Sequence, residues 1–331
     1  MPHRLIARLL CLLALATLLV APAVRAEPAK VIVGAYVNKL NEISFPQSKY
    51  SIDFYIWFRW KAEGELKDYK PLDSMELING RIESKTSIVE KKIGDFSYAS
   101  ARVAATIFKN WELKAFPFDS HRMFVHVEDS QFFAEQVQFV PDEPNSRLGD
   151  ELGVPGWNLT SFKAEVGRKT YKTNYGDVSL PTDALSNYSR FTFGMNMERA
   201  SFGSAAKLLS TVLAATLVAF IAFAIRPVDV DPRFGLPVGA LFAVAASAFV
   251  VASSVPDSGV LTVADQMHML AMLFIFGVLV QSAISLKWDE AEQEAKWKMS
   301  DRIALIVFPI LFFALSAWIL SSGLKSIKLG S

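Results

Sequence analysis

Cysteine is nearly absent from this sequence of 331 residues, which has a single Cys11 close to its N-terminus. One thiol cannot form an intrachain disulfide or a cysteine-ligated metal site. Histidine is also scarce, with four residues scattered along the chain, and there is no Gly-x-Ser-x-Gly, His-Glu-x-x-His or phosphate-binding loop. These absences argue against an enzyme, a cofactor or a metal centre.

An excess of charge of one sign is missing as well. The chain has 34 Lys and Arg against 33 Asp and Glu, for a formal net charge of +1. A generic nucleic-acid binder carries a basic excess, so nucleic acid is not an expected partner. Charged residues make up only 20% and hydrophobic residues 52%, which indicates a protein that is part aqueous and part membrane.

The first 26 residues have the pattern of a secretory signal peptide. Arg4 and Arg8 precede an apolar run from Leu9 to Val20, and small residues lead to a cleavage site after Ala26. An N-terminal membrane anchor is the alternative, but the run is short for a membrane span. Cleavage at this site removes the only cysteine.

Residues 27–200 form short runs rich in β-branched and aromatic residues, such as Val31–Val37 and Tyr188–Met197. Turn-forming pairs such as Asn79-Gly80 separate these runs, and no helical period is evident. Many short strands separated by turns predict an antiparallel β-sandwich or barrel in this half of the chain. We interpret it as the exported domain.

Residues 201–331 contain four apolar stretches, each long enough to cross a hydrocarbon core of about 30 Å as a helix. Four buried helices of one soluble domain are the alternative, but they would have almost no polar face. The sequence therefore predicts a four-helix transmembrane domain in contact with the lipid bilayer. The predicted spans are residues 205–225, 234–256, 267–286 and 303–322.

Loop charges predict the orientation of these spans. Lys and Arg occur in the loops after the first and third spans, whereas residues 257–265 contain neither. Basic loops face the cytoplasm, so the β-domain and the C-terminus are expected outside, in agreement with the signal peptide. For a bacterial protein this places the β-domain in the periplasm.

The tetrapeptide Phe116-Pro117-Phe118-Asp119 resembles the signature loop of the pentameric ligand-gated ion channels, the Cys-loop receptor superfamily. The two cysteines of animal receptors correspond to Lys109 and Met123, so this sequence resembles a bacterial member that lacks the disulfide. His121 stands where the family usually has Gln. The segment Tyr69–Asp73 and the four spans with their loop lengths are similar to the family pattern as well.

The resemblance implies a homopentamer of a bacterial inner membrane, in which an agonist bound between periplasmic domains opens a central pore. A small molecule, an ion or a proton could serve as that agonist. A membrane-anchored sensor or binding protein of the same architecture that does not conduct is the alternative function.

The second span is the pore helix of the family, and its entrance, Asp231–Leu236, is similar to that of anion channels. Aligned from Arg233, the expected pore-lining residues are spaced by four and three, so they lie on one helical face. A lipid-facing or helix-packing stripe is the alternative. The expected pore-lining residues are Gly235, Gly239, Phe242, Ala246, Phe249 and Ser253.

Asp231 and Arg233 are expected at the inner mouth of the pore. The similarity of Asp231–Leu236 to anion channels slightly favours anions, but selectivity stays open because both charges stand there. In a ring of five, Phe242 and Phe249 are expected to form two apolar constrictions that exclude water.

The resemblance also implies a gating interface between the two domains. Asp119 is expected to pair with Arg199, just before the first span, while Phe118 is expected to pack on the linker around Pro256. An ordinary hydrophobic turn is the alternative interpretation of the signature loop. The expected interface residues are Pro117, Phe118, Asp119, Arg199 and Pro256.

The ligand site of the family is an aromatic cage between neighbouring subunits, and such cages favour cationic amines. Proton gating is the other option, because the histidines outside the signal peptide can titrate near neutral pH. These are His121, His126 and His268. Candidate ligand-binding residues are Trp60, Arg102, Phe132, Phe133, Tyr171 and Tyr175.

Overall fold

The computed structural model describes residues 27–178, 181, 185–200, 202–257 and 259–330. The predicted signal peptide, residues 1–26, lies outside the described residues. A β-sheet-rich half is followed by four long apolar helices. This confirms the predicted fold class, a β-domain joined to a four-helix domain.

Ten strands in the described part of the chain form two sheets. The first sheet has the order β4-β5-β2-β1-β7, with β8 also paired to β1, and the second has the order β3-β6-β10-β9. The strands are β1 (Ala29–Ser44), β2 (Lys49–Trp60), β3 (Met75–Leu77), β4 (Gly80–Ile93), β5 (Phe96–Phe108), β6 (Ser120–Asp129), β7 (Val137–Pro141), β8 (Arg147–Leu148), β9 (Trp157–Tyr171) and β10 (Ser186–Arg199).

The sequence predicts an antiparallel fold, but the first sheet is mixed, because β7 and β8 run parallel to β1. The chain reaches β7 from the second sheet rather than through a hairpin, so no tight turn fixes its direction. Both short strands satisfy backbone groups along the outer edge of β1, which would otherwise be a long exposed edge.

The core lies between the two sheets. Along β2 the buried side chains alternate with half-buried ones, as a strand with one face on a core requires. Phe54 of β2 packs against Phe193 of β10 with 4.9 Å between ring centroids. Tyr50 donates its hydroxyl hydrogen bond to the Phe124 carbonyl of β6 at 2.9 Å. These contacts make the domain a β-sandwich.

Each of the four helices contains a stretch long and apolar enough to cross a membrane, so the chain is a multi-pass membrane protein. All four helices begin before the predicted spans, and the last two also end after them, whereas the first two, with the 3₁₀ turn that follows the first included, end one or two residues earlier than predicted. They are α1 (Phe202–Phe220, continued by a 3₁₀ turn at Ile221–Ala224), α2 (Val230–Ser254), α3 (Val263–Glu290) and α4 (Glu294–Gly330).

The centre of the helical bundle is apolar and aromatic. Phe220 of α1, Phe274 of α3 and Phe312 of α4 meet edge to face with centroid separations of 5.5 to 6.3 Å. Helix α2 packs on α1 and α3 through Ala240 and Val244. One face of α2 is therefore fixed by the subunit's own helices.

Candidate functional site

Helix α2 has one buried and one exposed face. All six residues that the resemblance assigns to the pore are exposed on the isolated subunit. Phe242 and Phe249 are 73% and 76% exposed, which is unusually high for phenylalanine. The opposite face is buried, at Arg233, Pro237, Ala240, Val244 and Val251. We call the exposed set, Gly235, Gly239, Phe242, Ala246, Phe249 and Ser253, the apolar strip.

Helix α2 begins four residues before the predicted span, which starts at residue 234. The helix begins at Val230 with Asp229 at the N-cap position, so Asp231 lies in the first turn and is exposed. Pro232 is tolerated inside this turn because the first backbone N–H groups of a helix have no intrahelical acceptor.

Arg233 is expected at the inner mouth, but its side chain is directed into the bundle. It is fully buried, and its Nη2 lies 2.9 Å from both carboxylate oxygens of Asp301 on α4. Ser285 of α3 donates a 2.7 Å hydrogen bond to the same carboxylate. The charge of Arg233 is thus compensated inside the subunit, which corrects the expectation.

Asp119 joins the β-domain to the last residues before the membrane. Arg199 Nε donates to Asp119 Oδ1 at 2.9 Å, which is the pairing that the resemblance implies. His121 Nε2 lies 2.5 Å from the other carboxylate oxygen. Burial alone would raise the pKa of Asp119, but the hydrogen bond from His121 and the charge of Arg199 outweigh it and lower that pKa.

Aromatic rings enclose the Arg199 guanidinium. It lies 4.4 Å from the Trp157 ring centroid and 5.0 Å from that of Phe116. Such cation–π contacts add to the ion pair with Asp119. Together they fix the end of β10, directly before α1, against the signature loop.

The signature loop also holds the N-terminus of α3. Val263 and Ala264 donate backbone hydrogen bonds of 3.2 and 3.1 Å to the Lys114 and Phe116 carbonyls. Phe118 packs on a cluster from α1, α3 and α4 that contains Leu209. The expected packing of Phe118 on the linker around Pro256 stays a prediction.

The β-domain carries a second cluster, which we call the tyrosine cluster: Phe133, Tyr171, Tyr175 and Tyr188. Tyr188 lies 5.3 Å from Phe133 and 5.8 Å from Tyr171, measured between ring centroids. Tyr175 lies 6.0 Å from Tyr171 and is 62% exposed. The structure thus brings three candidate ligand-binding residues together and adds Tyr188.

A buried ion pair supports the tyrosine cluster. Glu128 at the end of β6 accepts from Arg190 Nε at 2.6 Å, and Arg190 Nη2 donates to the Tyr171 hydroxyl at 2.7 Å.

Partial burial and the charges of Glu128 and Asp129 raise the pKa of Glu76 nearby on β3. Burial, with the charges of Arg190 and Lys169, lowers the pKa of His126.

The other three candidates lie elsewhere. Trp60 is 6% exposed and donates its indole N–H to the Leu66 carbonyl. Phe132 packs edge to face on Tyr69 at the border of the core. Both rings are therefore held by the core of the β-domain, and their part in ligand binding stays a prediction. Arg102 lies on the first sheet and binds Asp53 at 3.0 Å.

Sequence reasoning missed Tyr188, Arg190 and Glu128. Tyr188 and Arg190 are two residues apart in a predicted strand, so period-two alternation placed them on one face. An aromatic residue and a cation on the same face of a strand could have marked these two positions as candidates for the tyrosine cluster. Glu128 gave no such signal, because its pairing with Arg190 depends on how β6 and β10 align.

Comparison with known proteins supports the resemblance at a distance. No family model matches this chain. A "Proton-gated ion channel" from Gloeobacter violaceus is 18% identical over 308 residues, which cover 88% of this chain and 82% of the relative. The similarity therefore extends over both the β-domain and the helices, and the relative is a channel rather than an enzyme.

Proposed function

We propose that the chain is one subunit of a homopentameric ligand-gated ion channel in a bacterial inner membrane, with its β-domain in the periplasm. The observation that carries the proposal is the apolar strip of α2. In a single copy of the chain it leaves Phe242 and Phe249 73% and 76% exposed, on the helix whose first residues are similar to the family's pore entrance. Five copies around an axis would turn these strips toward one another.

The agonist is proposed to bind at the tyrosine cluster. Its exposed ring, Tyr175, and the carboxyl of Glu76, whose charge acts on Tyr188, suit a small cationic molecule through cation–π and charge attraction. The charge of Glu128 is compensated by Arg190. The raised pKa of Glu76 also means that this carboxyl takes up a proton at a higher pH than an ordinary Glu. Protons are therefore the second candidate agonist.

Strand β10 is proposed to carry the signal to the membrane. Tyr188 and Arg190 lie near its outer end, and Arg199 is its last residue. The distance from Arg190 to Arg199 along the strand is about 30 Å. A shift at the tyrosine cluster would reach the Asp119–Arg199 pair and then both α1 and the N-terminus of α3, which packs on α2.

The test is electrophysiology of the purified full-length protein in planar bilayers, with subunit number from native mass spectrometry. We expect a pentamer whose current rises with acid pH or with small amines. Asp119→Ala is expected to abolish that response without changing the subunit number, whereas Glu83→Ala, whose ion pair with Arg81 is exposed, should leave it intact.

The two bulky rings of the apolar strip also favour the alternative, a sensor that does not conduct. A pentamer that binds amines or responds structurally to pH, but leaves the membrane silent under all conditions, would favour the sensor. A monomer or dimer would contradict both proposals.

A further inference from the structure

Helix α2 contains two charged residues, Asp231 and Arg233. Successive residues of a helix are rotated by about 100°, so Asp231, four residues before Gly235, lies within about 40° of the apolar strip. Arg233, two residues before Gly235, lies about 160° away. The two charges therefore face opposite sides of the same helix.

The burial of the two side chains agrees with this geometry. Asp231 is exposed, like the strip that it extends. Arg233 is fully buried against Asp301, whose side chain is 4% exposed. An arginine paired inside its own bundle adds almost no field at the surface, because the opposite charge at 2.9 Å cancels it.

The charge nearest to Asp231 on the preceding turn is also compensated. Asp229 pairs with Arg226 at 3.2 Å. The N-terminus of a helix contributes a partial positive charge of about half a unit, which is smaller than the full negative charge of Asp231. At the opposite end of α2, the exposed residue that follows Pro256 is Asp257, which is also acidic.

We infer that the channel selects cations, and that Asp231 is the residue that determines this selectivity. The inference rests on the proposed function, in which five copies of the apolar strip surround the pore. Asp231 then forms a ring of five carboxylates at the cytoplasmic mouth, and rings of Asp or Glu favour cations. The similarity of Asp231–Leu236 to anion channels points the other way, but that similarity depends on Arg233.

Cysteine chemistry tests the inference without requiring that the pore conducts, since residues 27–331 contain no cysteine. Gly235→Cys places a thiol on the apolar strip, one turn above Asp231. In the purified protein, a positively charged methanethiosulfonate should modify this thiol faster than a negatively charged one of similar size. Adding Asp231→Asn should reduce that rate ratio by about fivefold or more, whereas adding Asp229→Asn should leave it unchanged.

The outcomes separate the inference from the proposed function. A thiol at 235 that reacts only with a membrane-permeant reagent lies in lipid, and this contradicts the pore itself. A reactive thiol whose rate ratio does not change with Asp231→Asn keeps the pore but overturns the role of Asp231. Reversal potentials in a KCl gradient give the second readout. In the wild type they should lie toward the equilibrium potential of potassium rather than that of chloride, and in Asp231→Asn they should move toward zero.

Discussion

At the scale of single residues, the effect of a buried charge in this protein depends on the group of opposite charge beside it. Asp119 is 2% exposed, yet it stays ionised because Arg199 and His121 surround it. Arg233 is fully buried, yet Asp301 neutralises it. In both cases the sequence identifies a charged residue, whereas the compensating group decides whether that charge acts on the solvent, the pore or only the fold.

Asp119→Asn is expected to change the acid dependence of stability. The folded-state pKa of Asp119 is lowered, so its stabilising effect is present above its unfolded value of about 4 and is lost as the pH falls through the lower folded pKa. The melting temperature of the variant in detergent should therefore be lower than wild type by a constant amount from pH 7 to pH 5. The gap should narrow only below about pH 4.

Glu83→Gln is the matched control, since the side chains of Glu83 and its partner Arg81 are 44% and 69% exposed. Exposed pairs contribute little, so its melting temperature should stay close to wild type. A gap for Asp119→Asn that was already closing between pH 7 and pH 5 would contradict the lowered pKa.

Secondary-structure elements meet here through close backbone approach and through buried polar pairs. In the second sheet, β10 passes so near β6 that a β-carbon at Gly194 would lie 1.9 Å from the Met123 carbonyl oxygen. In the bundle, Arg233 in the first turn of α2 reaches Asp301 of α4. The first contact fixes the distance between β10 and β6, and the second fixes the position of α2 against α4.

Gly194→Ala is expected to destabilise the β-domain by about 2–4 kcal/mol, because the added methyl group forces β10 and β6 apart. Gly167→Ala in neighbouring β9 is the matched control, since nothing lies within 4 Å of its β-carbon position. Thermal unfolding of the two variants should give a clearly lower midpoint for position 194 alone. Equal midpoints would contradict the close approach.

Asp301→Leu is expected to destabilise the bundle by about 3–5 kcal/mol, because it leaves the Arg233 guanidinium buried without a counter-charge. Arg233→Met combined with Asp301→Leu removes both charges and should recover most of that loss. Thermal unfolding in detergent measures both variants. A double variant as unstable as Asp301→Leu alone would mean that the pair does not act as a unit.

At the scale of the whole molecule, the proposed pentamer gives the apolar strip its surroundings. In one copy of the chain the β-domain has a closed core, and one face of α2 packs on α1 and α3, but the apolar strip is left uncovered. Association of copies around an axis would cover the flanks of α2 and leave Phe242 and Phe249 as the narrowest points. Narrow apolar rings exclude water until they widen.

Phe242→Ala and Phe249→Ala are therefore each expected to increase the current that flows without agonist, because the shorter side chain admits water to the constriction. Phe276→Ala is the control, since this ring on α3 is also 60% exposed but does not belong to α2. Bilayer recordings compare the resting currents. An equal increase in all three variants, or none in any, would remove Phe242 and Phe249 from the proposed gate.

The sequence determined the division into a β-domain and four apolar helices, because alternation and apolar run length are local properties that the chain expresses wherever it folds. The resemblance to the family, aligned at Arg233, selected the strip on α2, and residue spacing shows only that its members share one helical face. Only the tertiary structure decided that Arg233 pairs with Asp301, 68 positions away, and that Glu128, Arg190 and Tyr188 support one cluster. Partners distant in sequence are chosen by how elements pack, and packing depends on the whole chain at once.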